Sequence, residues 1–144
     1  NSGGCLSSAM WLKTKNNKKL RFDKKFGLGA KYGSADETDF IFNSLLLQKK
    51  IYYVSEKIIF HPWEFEEIKT KKEIYKKFSS YGIGQGALFK KYYKKSGIYF
   101  FYLFLFSLFK SLVGALMSFL TLKNNNLIKY LSMFRGKIIG FKIY

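Results

Sequence analysis

Three carboxylates fall within four residues in the run Asp36-Glu37-Thr38-Asp39, in a chain with only 9 acidic residues against 26 basic ones. A glycine-rich stretch, Gly27-Leu28-Gly29-Ala30-Lys31-Tyr32-Gly33-Ser34, comes just before it. Neighbouring carboxylates repel one another, which raises the pKa of one and suits it to taking a proton from a hydroxyl. The same residues have a plain structural use. Ser34 and Glu37 have the spacing of an S-x-x-E capping box, and acids are favoured in a first helical turn. The two uses are compatible. The glycines supply positive φ and close backbone approach, but not the G-x-G-x-x-G order that follows a strand in dinucleotide-binding folds.

The elements that must position this cluster can be read from hydrophobic spacing. Residues 1–12 form an apolar stretch that reads as a buried strand, with Trp11 either packed in the core or large enough to form one wall of a sugar site. Residues 13–25 read as a solvated basic loop anchored by Phe22. A helix is expected over residues 38–48, with Phe42, Leu45 and Leu46 on one side. Residues 51–54 and 58–60 are β-rich around a turn at 55–57 and end at His61-Pro62. A charged helix is expected over about residues 64–79, resting on Ile68, Tyr75 and Phe78, then a glycine-rich break over residues 81–86. Lone Cys5 excludes an internal disulfide framework and a cysteine-rich zinc site.

Charge and hydropathy narrow the function classes. The formal net charge is +17, and no acidic residue follows Glu73. Such a surface suits a polyanion, either nucleic acid or an anionic membrane face. Residues 98–122, IYFFYLFLFSLFKSLVGALMSFLTL, favour the membrane, with Lys110 their only charge. As a helix they would extend about 37 Å, enough for a hydrocarbon core of about 30 Å. Lys110 and Gly114 leave a re-entrant or interfacial course open beside a spanning one. The aromatic residues concentrate in residues 99–109, where no lysines interleave, so a nucleic-acid surface is not expected. Lys90, Lys91, Lys94 and Lys95 ahead of it place its N-terminal side in the cytoplasm. Residues 123–144, with Leu127, Ile128, Leu131 and Phe134 at helical spacing, read as a basic interfacial tail.

The runs FDKKFGLGAKYGSADETDFIF and KKIYYVSEKIIFHP, with YGIGQGALFKK further on, resemble family 2 glycosyltransferases of bacterial capsule and cell-surface polysaccharide synthesis. The resemblance is strong over residues 7–62. It implies an α/β fold, with residues 1–62 the acceptor-side half of a GT-A-type catalytic domain. Residues 63–97 would be a basic helix and juxtamembrane linker, followed by a mostly helical membrane-associated part. It implies inverting transfer of a sugar from a nucleotide-sugar donor to a glycan or lipid-linked acceptor, at the cytoplasmic face of the bacterial inner membrane.

Carried over residue by residue, Glu37 is the general base with Asp36 beside it. Asp39, Trp11, Gly33 and Ser34 lie at the substrate, and His61 approaches the metal and diphosphate. The cofactor implied is Mg or Mn with the nucleotide sugar, held mainly by a DxD-bearing half expected before Asn1, since no D-x-D precedes the acidic cluster. Two positions depart from the family pattern, Lys24 replacing an acid and Asn43 an arginine. A non-enzymatic membrane-anchored subunit of a polysaccharide assembly system is the alternative reading.

Overall fold

The computed structural model describes Met10, residues 20–52 and residues 70–144. Four helices occupy 73% of the described residues, and no strand occurs among them. They are α1 (Asp36–Leu46), α2 (Lys71–Ser96), α3 (Ile98–Leu120) and α4 (Asn124–Ile143). The expected α/β class is therefore corrected to all-helical for the described residues. Ile51 and Tyr52, the start of the expected β pair, have no regular structure, and the rest of that pair lies outside the described residues. Trp11, His61, Cys5 and Ile68 lie outside them as well.

A capping box starts α2: the Thr70 hydroxyl accepts from the Glu73 N–H at 3.2 Å, and the Glu73 carboxylate accepts from the Thr70 N–H at 3.0 Å. The helix then runs unbroken for 26 residues, through the glycine segment expected to interrupt it. Each glycine within a helix costs about 1 kcal/mol relative to alanine. What offsets that cost is the partner helix. Gly82 and Gly86 of α2 meet Gly136 and Gly140 of α4, a G-x-x-x-G spacing on each side. A Cβ at Gly82 would stand 2.5 Å from the Met133 carbonyl oxygen, and one at Gly136 would stand 2.5 Å from that of Ser79. Side chains at Gly86 and Gly140 would run into the carbonyls of Lys137 and Ile83. Only hydrogen fits at these four positions, so the two backbones touch directly.

Matching Ser79 and Gly82 with Gly136, and Ile83 and Ala87 with Gly140, makes α2 and α4 parallel. Helix α3 is antiparallel to both: Phe101 and Phe104 pair with Tyr93 and Phe89 of α2, and Phe104 and Gly114 meet Phe141 and Tyr130 of α4, the Phe104 and Phe141 rings lying 4.1 Å apart and nearly coplanar. Residues 123–144, expected as an interfacial tail, contain α4, which packs on α2 and α3 as one layer of a three-helix unit. Gly97, at φ +83, makes the reversal between α2 and α3.

Helix α3 is apolar enough and, at 23 residues, long enough to cross a membrane. Its inward face is small or polar, with Ser111, Ala115 and Ser118 buried beside Phe104. Its large side chains point outward, Tyr102, Phe109, Leu116 and Phe119 being 64%, 60%, 59% and 63% exposed. A water-soluble helix does the reverse. So broad an apolar face marks a surface that meets lipid or protein.

The packing makes a graded prediction. Gly140→Ala sets a methyl group against the Ile83 backbone and should destabilise the protein by about 1–3 kcal/mol in detergent unfolding experiments, the usual range for overpacking. Gly114→Ala meets the Tyr130 ring instead, whose Cε1 would lie 2.6 Å from the new methyl. A side chain can turn aside, so the loss there should be smaller. Equal losses would contradict backbone contact as the reason for these glycines.

Candidate functional site: a carboxylate cluster anchored on the glycine-packed helices

Residues 23–35 fold into consecutive tight turns. The Phe26 N–H donates to the Asp23 carbonyl at 3.0 Å, Ala30 to Gly27 at 3.1 Å, and Tyr32 to Lys25 at 2.9 Å. Phe26 and Tyr32 turn inward, rings 5.1 Å apart, and both lie against Tyr144 at the end of α4. Gly84 of α2 leaves room for Ser34, whose backbone oxygen would be 2.7 Å from a Cβ there. The Ser34 hydroxyl lies 3.3 Å from the Ser80 carbonyl and 3.4 Å from that of Tyr81, while the Ser80 hydroxyl donates to the Gly33 carbonyl at 3.2 Å. The glycine-rich stretch is therefore laid along α2.

This geometry corrects the capping reading. The residue at the N-cap of α1 is Ala35, at φ +70, and no side chain caps the helix. Ser34 spends its hydroxyl on α2 instead.

Asp39, in the first turn of α1, is 2% exposed. Its carboxylate oxygens lie 2.7 and 2.9 Å from Lys91 Nζ, which also meets Asp23 at 2.8 Å. The Tyr92 hydroxyl sits 2.8 Å from the Asp39 carbonyl oxygen and 3.0 Å from its carboxylate. Burial alone would lower the Lys91 pKa, but the two aspartates outweigh it and hold the ammonium above its ordinary value. Burial opposes the Asp23 carboxylate as well. Its bonds to Lys91 and to the Lys25 N–H nevertheless keep it below the usual range. Burial, then the charge of Asp39, pushes the Tyr92 phenol far up, so it stays a donor. Around this pair, Phe42 of α1 packs edge-on against Tyr92 and Phe100. Asp39 is thus part of an anchor joining the loop and α1 to α2.

Asp36 and Glu37 are half-buried at the start of α1. Burial first, and then the bond to Glu37, raises the Asp36 pKa. Gly27, at φ +103, makes space for this carboxylate: a Cβ there would stand 3.2 Å from Asp36 Cγ. Of the residues expected at the site, Gly33 and Ser34 lie against α2, Asp39 is bonded to Lys91 of α2, and Asp36 and Glu37 lie together in the first turn of α1. A cleft of about 450 Å³ lies beside it, lined by Lys31, Lys72, Lys76, Tyr75, Ser79 and Ser80 among others. No acidic residue is among those lining it.

The described residues do not fit a divalent metal. No group of three or more histidine, cysteine, aspartate or glutamate side chains gathers among them, and the oxygens of Asp23 and Asp39 face the Lys91 ammonium. Lys91 and Tyr92 are the site residues that the sequence reading missed. The signal was faint, since Lys91 is one of four lysines in KKYYKK. Comparison of the chain with protein-family models, with curated proteins and with solved structures gave no match.

The two aspartates should separate cleanly on substitution. Asp39→Asn leaves Lys91 short of a buried counter-charge and should cost about 3–5 kcal/mol of stability. Asp36→Asn should cost nothing at neutral pH. A carboxyl whose pKa is raised by folding contributes stability that is fully present below its unfolded value and lost as pH rises through the folded one. At pH 7 the amide removes an unfavourable charge. Chemical denaturation of both variants at pH 7 in detergent checks the order, and the reverse order would refute the anchor.

Proposed function

We propose that this chain is the acceptor-side, membrane-bound part of an inverting glycosyltransferase that adds sugars from a nucleotide-sugar donor to a growing cell-surface glycan. The observation that carries the reading is the half-buried Asp36–Glu37 pair at the start of α1, with the Asp36 pKa raised by burial and by Glu37, while Asp39 of the same turn is already committed to Lys91. Neighbouring carboxylates repel one another, which raises the proton affinity of one of them and suits such a pair to general-base work. Glu37 is the base that takes the acceptor hydroxyl proton as the oxygen attacks the anomeric carbon. Asp36 tunes it.

The lysine-lined cleft suits the phosphates of a lipid-linked acceptor. Donor diphosphate and its metal fall to residues outside those described here, and no step is assigned to them. The apolar face of α3 supports a membrane location, and by resemblance this is the cytoplasmic face of a bacterial inner membrane.

Glu37→Gln keeps the size of the side chain but cannot accept the proton. Turnover in membranes supplied with nucleotide sugar and acceptor should fall by about 10²–10⁴, the usual share of general-base catalysis, with donor binding little changed. Near-normal turnover with folding intact would end this assignment.

A further inference from the structure

We infer that α3 lies along the membrane within one leaflet, rather than across the bilayer, and that its outward face is the lipid-binding surface of the three-helix layer. This rests on the membrane association of α3 and not on the transferase reading.

The helices run side by side, so each level of α3 has a counterpart on α4 and α2. An upright α3 would put Phe109, its middle residue, at the bilayer centre. At that level Lys137 of α4 donates to the Ser107 carbonyl at 2.9 Å and to the Ser111 hydroxyl at 2.8 Å. Arg135, two residues away, is exposed, and so is Lys110. Gly136 packs on Ser79 and Gly82, which carries the same level across to α2. There the Ser80 and Tyr81 carbonyls meet Ser34, bringing the turns of the acidic loop to mid-depth. Lys76 lies about one helical turn from Ser80.

An upright unit would thus bury two exposed cations and a stretch of irregular backbone at the hydrocarbon midplane. Lipid-exposed irregular backbone does not occur there. Exposed charges at that depth are rare and costly.

Rotating the unit onto its side removes every conflict at once. The inward face of α3 carries α4 and α2, and α2 carries the acidic loop. With Tyr102, Phe109 and Leu116 pointing down into the acyl chains, those layers stand in the headgroup region and above it. These three residues are seven apart and share one stripe of the helix. Lys110 is about 100° around the axis from Phe109, to the side of that stripe, where a lysine can reach upward to a phosphate. Residues 96–144 carry six basic residues and no acid, which complements anionic headgroups. The surface therefore fits a leaflet containing anionic phospholipid.

The two ends of α3 decide the matter. In a Cys5→Ser background, Ser96→Cys and Asn125→Cys place single thiols at exposed positions before and after the helix. In sealed membrane vesicles of one orientation, a membrane-impermeant maleimide should modify both equally, or neither. Modification of one end with protection of the other overturns the proposal. Nitroxides at Tyr102, Phe109 and Leu116 should report equal depths. A steady gradient along the three means a spanning helix, and a maximum at Phe109 means a re-entrant one. Either result overturns the in-plane course, as does release of the chain by high salt alone.

Discussion

One buried ammonium joins the acidic loop to the helices. The chain is poor in acids, yet it places two of them, Asp23 from the loop and Asp39 from α1, on Lys91 of α2. Neither carboxylate is near the lysine in sequence, so the contact closes two long segments onto one helix. Its worth is in specificity as much as in stability. A buried pair contributes modestly against an apolar substitute, but losing one partner leaves a charge without its counterpart. The ring of Phe26, 5.0 Å from Lys91 Nζ, and the hydroxyl of Tyr92 complete the surroundings. With the contacts of Gly33 and Ser34 on Ser80, this attachment fixes the loop and the start of α1, where Asp36 and Glu37 lie, beside α2.

The attachment needs a rigid base, and glycine provides it. Four glycines let α2 and α4 touch along their backbones, and Gly84 on the same helix lets Ser34 lie down on α2. A single stretch of α2, residues 82–86, thus packs on both α4 and the loop. Helix α3 completes the unit with a small inward face and a large apolar outward one. The result is a layered arrangement: a helix with an exposed apolar face, the glycine-packed helices, then the turns and the start of α1 that carry the carboxylates.

Much of this was legible in the residues, and the failures have physical causes. The apolar run 98–122 appeared as α3 because uniform hydrophobicity over that length needs no tertiary context. The helix following the glycine loop was equally plain. The cap was misread because Ser34 had two possible partners, and the carbonyls of α2 are remote in sequence. The glycine segment was taken for a break because local propensity disfavours glycine in a helix; its matching G-x-x-x-G at residues 136–140 held the correction. Asp39 looked like a solvated first-turn acid or a substrate contact, since no local pattern announces a partner 52 residues away. The α/β expectation came from resemblance, and its strand residues lie largely outside the described part.

The central claim is that Lys91 fixes the carboxylate loop to an independently packed helix layer. Amide hydrogen exchange on Lys91→Met in membrane-mimetic micelles tests it most directly. Exchange should speed up across residues 26–40, while the α2–α4 contact at residues 82–87 and 133–141 keeps its protection. Unchanged protection of residues 26–40, or equal loss of protection in both regions, would contradict the account.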